Sequence, residues 1–100
     1  MIAYPEFLLI TLLEELSEAQ HVVGKALRIG LHGHREGEMF TSGFNIEKEF
    51  IEALAVRDLL REINVISEPF NAQFLYNTKI AAVKKSAIIA RRLGTLEPET

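Results

Sequence analysis

Apolar residues recur along the first third of the chain at the spacing of an α-helix. Good helix formers without an internal proline run from Glu6 to about Ile29, and Gly30 follows them. The apolar positions form a broad stripe that consists of Leu8, Leu9, Leu12, Leu16, Val23 and Leu27. The pattern predicts a long first helix with one face suited to burial.

A glycine-rich stretch separates this helix from a second one. Residues 30–44 contain four glycines and two histidines without sustained periodicity, which predicts a long connection. Asn45 is the predicted N-cap of the second helix, which continues to about Ile63. Its apolar positions recur at helical spacing at Ile46, Phe50, Ala53, Leu54, Val56 and Leu60. This helix therefore also has an apolar face.

A third helix follows a break in the chain. Proline disfavours helix in the residue before it, so the Ser67-Glu68-Pro69 segment ends the second helical region. The third helix is predicted from near Asn71 to about Leu93, with Gly94 as its C-cap. The predicted fold class is therefore all-α, a helical bundle of three main helices in each protomer.

The composition is that of a globular chain. One hundred residues, 48% of them hydrophobic, predict a single domain at 1–96 and a frayed tail at 97–100. Three such helices expose more apolar surface than one protomer covers, so we expect a homo-oligomer, either a dimer or a tetramer. No apolar stretch approaches the roughly 20 residues that span a bilayer, which predicts a cytoplasmic protein without a membrane partner. The absence of cysteine excludes disulfides and thiolate chemistry.

The charge is unevenly distributed along the sequence. A formal net charge of −3 argues against non-specific nucleic-acid binding, which depends on clustered lysine and arginine. Basic residues nevertheless gather in the last quarter, at Lys79, Lys84, Lys85, Arg91 and Arg92. Asn77, Lys84 and Arg91 recur at a spacing of seven on the third helix. This stripe suits a triphosphate, and the alternative is a solvated basic face.

Two acidic pairs carry the candidate chemistry. Glu15 and Glu18 are three residues apart on the first helix, and Glu49 and Glu52 repeat this spacing on the second. The second pair shares a face with the apolar positions, where unpaired like charges are costly. Two such pairs on facing helices form a four-carboxylate cage, and oxygen ligands without histidine favour Mg²⁺ or Mn²⁺ over zinc. For the first pair taken alone, the alternative is an ordinary solvated helix face.

Two further residues lie near the first acidic pair. His21 and Lys25 share a helix stripe with Glu14 and Glu18. One interpretation is pairing of these charges on the helix surface, and the other is contact between Lys25 and a phosphate.

The motifs resemble those of the MazG-like all-α nucleotide pyrophosphohydrolases. LLEELSEAQHVVGKALRIG resembles the EExxE helix of that family, including the trailing element of phage-type members, at Glu14, Glu15, Glu18 and Lys25. EFIEALAVRDLL resembles the ExxD helix at Glu49 and Glu52, and NTKIAAVKKSAIIARR is similar to the closing helix, with Asn77 and Lys79 as the matching residues. Two positions depart from the pattern, because Glu52 stands where the family has aspartate and Ile51 where glycine is common.

The resemblance implies hydrolysis of a nucleoside or deoxynucleoside triphosphate to the monophosphate and pyrophosphate. It assigns Mg²⁺ coordination to Glu15, Glu18, Glu49 and Glu52, and an outer-shell role as base or orienting group to Glu14. The implied substrate-binding residues are Lys25, Asn77, Lys79 and Lys84. For a phage-encoded member the location is the host cytoplasm. Stacking on the base is assigned to Phe40, Phe44 or Tyr76, with ordinary packing as the alternative.

Two other functions fit parts of the sequence. One is a catalytically inactive helical oligomer that binds nucleotide or metal as a sensor or structural protein, which the departures at Ile51 and Glu52 favour. The other is metal storage or transport through His32 and His34, which alone supply too few ligands for a complete site.

Overall fold

The computed structural model describes residues 1–34 and 37–99, and within these ranges it contains three α-helices and no strand. The helices are α1 (Tyr4–Ile29), α2 (Ser42–Glu62) and α3 (Ala72–Leu93). The predicted all-α class is confirmed. Across the same residues, no helix is both long enough and apolar enough to cross a membrane.

The chain divides into two compact units. The first, residues 1–67, contains α1 and α2, and the second, residues 68–100, contains α3. The single domain expected at 1–96 stays a prediction.

Helix α1 begins two residues earlier than the pattern predicts. Pro5 lies in its first turn, where a backbone N–H would have no carbonyl of the helix to bond, so proline is tolerated there. The helix ends at Ile29, and the Gly30 N–H then donates to the Ala26 carbonyl at 2.8 Å. Gly30 has a φ of 98°, a conformation that favours glycine.

Helix α2 begins before the predicted N-cap. The Thr41 hydroxyl accepts a hydrogen bond from the Phe44 N–H at 3.2 Å, so Thr41 is the cap. The assignment of Asn45 was therefore wrong, because either residue type can cap and Asn45 already lies inside the first turn. The connection is shorter than predicted and ends at Thr41. Arg35 and Glu36, which belong to it, lie outside the described residues.

The core of the first unit forms where α1 packs against α2. Leu8 of α1 and Val56 and Leu60 of α2 are buried together, and Leu60 is fully inaccessible. Leu12, Ile63 and Ile66 are partly buried against this cluster. The predicted apolar face of α2 is thus confirmed at Ala53, Val56 and Leu60, which are all buried.

Much of the predicted apolar surface is exposed. Leu9, Leu16, Val23 and Leu27 of the α1 stripe are all exposed. In the second unit, α3 has no buried residue along its described length. The described fold therefore covers only part of the apolar area that the pattern assigns to burial.

Helix α3 ends as the sequence predicts. Gly94 adopts the left-handed conformation with a φ of 78°, and the Thr95 N–H donates to the Ala90 carbonyl at 2.9 Å. The segment that follows contacts the helix, because Arg91 donates to the Glu97 carbonyl at 3.3 Å and pairs with Glu99 at 3.5 Å. Thr100, in the predicted frayed tail, lies outside the described residues.

Candidate metal centre

Three carboxylates converge where α1 faces α2. Glu15 of α1 and Glu49 and Glu52 of α2 each contribute an oxygen, and these oxygens lie within 4.8 Å of one another. Glu49 is placed here because it precedes the buried Ala53 by one helical turn and so shares the face that packs on α1. We call these three residues the carboxylate group.

Glu49 is the most buried member of the carboxylate group. The residue is only 8% exposed, and its inaccessible Oε2 atom has no hydrogen-bond partner in the part of the chain that the structure describes. Burial raises the pKa of Glu49, and the negative charge of Glu52 raises it further. Lys48 opposes this shift without cancelling it. No side chain or backbone N–H of the described residues donates a hydrogen bond to this oxygen.

Among the described residues, Lys48 is a cation that contacts the carboxylate group. Its Nζ lies 3.0 Å from Glu52 Oε1 and 3.9 Å from Glu49 Oε1. The hydrogen bond to Glu52 raises the pKa of Lys48, as does the charge of that carboxylate. This lysine was not predicted from the sequence, although its spacing of four from Glu52 is typical of a helical ion pair.

Glu18 and Glu14 lie outside the carboxylate group. Glu18, one turn after Glu15, is exposed, and its charge adds to those that raise the pKa of Glu49. Glu14 is also exposed, and none of the ion pairs of the described residues includes it. The structure thus brings together three of the four predicted metal ligands and places the fourth within electrostatic reach.

The predicted phosphate-binding residues are found on two helices. Lys25, half-buried on α1, forms no ion pair with Glu14 or Glu18 in the described structure, and neither does His21. In the second unit, the α3 residues Asn77, Lys79 and Lys84 are exposed. The Asn77 side-chain oxygen accepts a hydrogen bond from Gln73 at 3.0 Å.

A shallow cavity adjoins the carboxylate group. It has a volume of about 240 Å³ and is lined by Phe44, Glu47, Lys48, Ile51 and Glu52. The Phe44 ring also stacks on Phe40, with centroids 4.3 Å apart. The walls of this cavity are thus partly charged and partly apolar. They include Glu52 of the carboxylate group and Lys48, which contacts the group.

The donor set fits a hard cation. Three carboxylates within 4.8 Å of one another offer the oxygen ligands that Mg²⁺ and Mn²⁺ prefer. The Glu49 Oε2 atom, which is buried and has no partner among the described residues, is an acceptor that such a cation would satisfy. His32 and His34 are exposed in the connection and belong to no cluster of metal-ligating residues within the described ranges.

Comparison with family models, curated proteins and solved structures found no match to this chain. Membership of the MazG-like family, which the motifs imply, therefore stays a prediction.

Proposed function

We propose that this protein is a Mg²⁺-dependent nucleoside triphosphate pyrophosphohydrolase. The observation that carries the proposal is the buried, unpartnered Oε2 of Glu49 beside the carboxylates of Glu15 and Glu52. A buried carboxylate oxygen without a partner is costly. A divalent cation bound to the three carboxylates would offset that cost.

The acidic residues have two roles, metal binding and the orientation of a ligand or acceptance of a proton. Glu15, Glu49 and Glu52 would hold the metal, and Glu18, which lies outside the carboxylate group in the structure, would supply a fourth carboxylate. When bound, Mg²⁺ polarises the phosphates and lowers the pKa of the attacking water. Glu14 acts from outside the ligand set, where it orients a ligand or accepts a proton.

The basic residues hold the substrate. Water attacks the α-phosphorus, the bond between that phosphorus and the α,β-bridging oxygen breaks, and the monophosphate and pyrophosphate are released. Lys25 of the first unit binds phosphate oxygens, since an ammonium group donates hydrogen bonds to anionic oxygen. Phosphate binding by Asn77, Lys79 and Lys84 of the second unit stays a prediction from the resemblance. The substrate class, a nucleoside or deoxynucleoside triphosphate, follows from the resemblance of the motifs.

The active form is a homo-oligomer, a dimer or a tetramer. Exposed apolar side chains support this, among them Leu16 on α1 and Phe74 and Val83 on α3. An open cavity of about 270 Å³ on the first unit is lined by Leu12, Leu16, Phe50, Ala53, Leu54 and Arg57. Light scattering of the active protein tests this part of the proposal. A fully active monomer would contradict it.

The enzymatic proposal is tested by pyrophosphate release. The purified protein is incubated with each canonical nucleoside and deoxynucleoside triphosphate in Mg²⁺, beside Glu49→Gln and the matched control Glu62→Gln. Glu62 is an exposed residue at the end of α2, 13 positions and about 20 Å along the helix from Glu49. We expect turnover by the wild type and by Glu62→Gln, and its loss in Glu49→Gln or on chelation.

The same experiment distinguishes the sensor alternative. If the wild type binds Mg²⁺ but hydrolyses no triphosphate, the enzymatic proposal is refuted and the inactive metal-binding protein is favoured. If it neither binds the metal nor hydrolyses a triphosphate, the proposed metal centre is refuted as well.

A further inference from the structure

The position of Lys48 suggests a role that the family resemblance does not assign. Its ammonium group contacts two members of the carboxylate group, Glu52 at 3.0 Å and Glu49 at 3.9 Å. A metal ion bound to this group would share the Glu52 and Glu49 carboxylates with the ammonium, and the two positive charges would repel each other. The ammonium and the ion therefore compete.

The competition favours the divalent ion. The lysine contacts leave Glu49 Oε2 without a partner, so one ammonium does not satisfy all the carboxylate oxygens. A dication carries twice the charge and accepts several oxygen ligands at once. Its charge also repels an ammonium about 4 Å away, which helps to expel it.

The displaced side chain has space available nearby. The Lys48 side chain is 52% exposed, and it lines the 240 Å³ cavity together with Glu52. Lysine carries its charge on a flexible four-carbon stem, so the ammonium can leave the carboxylates without any movement of α2.

We propose that Lys48 takes the place of the metal ion in the metal-free protein and transfers to a phosphate oxygen of the substrate when the ion binds. This inference rests on the proposed function. Lys48 then has two effects, because it binds the substrate and weakens the affinity of the site for the metal ion. Loss of its charge should strengthen metal binding and weaken phosphate binding.

Titration calorimetry with Mn²⁺ alone tests the first half. The proteins are the wild type, Lys48→Gln, Lys48→Arg and the control Arg28→Gln. Arg28, in the last turn of α1, is 13 residues and about 20 Å along the helix from Glu15. We expect Lys48→Gln to bind Mn²⁺ about threefold to tenfold more tightly, with a smaller gain at high salt. Lys48→Arg and Arg28→Gln should bind as the wild type does.

Inorganic pyrophosphate tests the second half. With Mn²⁺ saturating, Lys48→Gln should bind pyrophosphate about tenfold more weakly, because one charged donor is lost. Equal or weaker Mn²⁺ binding by Lys48→Gln, or unchanged pyrophosphate binding, overturns the inference while the proposed metal centre stands. Absence of Mn²⁺ binding in all four proteins overturns the metal centre itself.

Discussion

The substitution Glu49→Gln should stabilise the metal-free protein. Glutamine keeps the shape of the side chain and removes a charge that burial and the neighbouring Glu52 both disfavour. Its amide N–H groups also supply donors beside the carboxylates of Glu15 and Glu52. Without metal, the wild type with its Glu49 carboxylate is therefore expected to be less stable than the Glu49→Gln variant.

The magnitude follows from the environment of the Oε2 atom. A buried acceptor without a partner costs about 1–3 kcal/mol. Glutamine also loses the attraction to the Lys48 ammonium, 3.9 Å from Oε1, so the lower end of this range applies. A gain of about 1 kcal/mol corresponds to a rise of about 4–8 °C in the unfolding midpoint of a chain of 60–100 residues.

The pH dependence has a defined sign. Because the folded-state pKa of Glu49 is raised, the folded protein holds this proton more tightly than the unfolded chain. The contribution of the protonated form to stability is complete below the unfolded pKa of about 4.3, and it is lost as the pH rises through the folded pKa. The advantage of Glu49→Gln should therefore be largest at neutral pH and vanish near the unfolded pKa.

Magnesium should reverse the order of stability. At ten times its dissociation constant, Mg²⁺ adds about 1.4 kcal/mol to a protein that binds it only when folded. The wild type should gain this increment and Glu49→Gln should not. The assay is thermal unfolding followed by circular dichroism, with chelator or with Mg²⁺, beside the control Glu62→Gln. A Glu49→Gln protein less stable than the wild type in chelator at neutral pH would refute the reasoning.

Two further predictions concern the fold of the first unit. Leu60→Ala should lower the free energy of unfolding by about 2–5 kcal/mol, since Leu60 is fully buried. Chemical denaturation measures this loss, and the control Leu59→Ala, at an exposed position, should have only a small effect. Thr41→Ala should cost about 0.5–2 kcal/mol through loss of the cap to Phe44, whereas Thr41→Ser should retain most of it. An equal loss in the alanine and serine variants would show that the hydroxyl is not the stabilising group.

The sequence was sufficient where local rules decide the structure. The periodicity predicted three helices, and the structure places α1, α2 and α3 within a few residues of the predicted bounds. The left-handed Gly94 was predicted because few other residues adopt that conformation at a helix end. The cap of α2 was missed because Thr41 and Asn45 are both suitable, and only the backbone geometry shows which one is used.

The candidate site shows the same division between local and tertiary information. The spacing of three fixes each acidic pair on one face of its own helix, so the sequence alone selected Glu15, Glu18, Glu49 and Glu52. The relative placement of α1 and α2 then decided that Glu15, Glu49 and Glu52 come together while Glu18 stays outside the carboxylate group.

Burial and cross-helix contact are properties of the packed structure. The sequence placed Glu49 on the apolar face, but only the packing of α1 on α2 left its Oε2 inaccessible and without a partner. The ion pair between Lys48 and Glu52 could be predicted from their spacing. That a third carboxylate, Glu15, lies near this pair depends on how α1 packs against α2. Spacing along one helix is set by the helical repeat, whereas distances between helices depend on how their side chains pack.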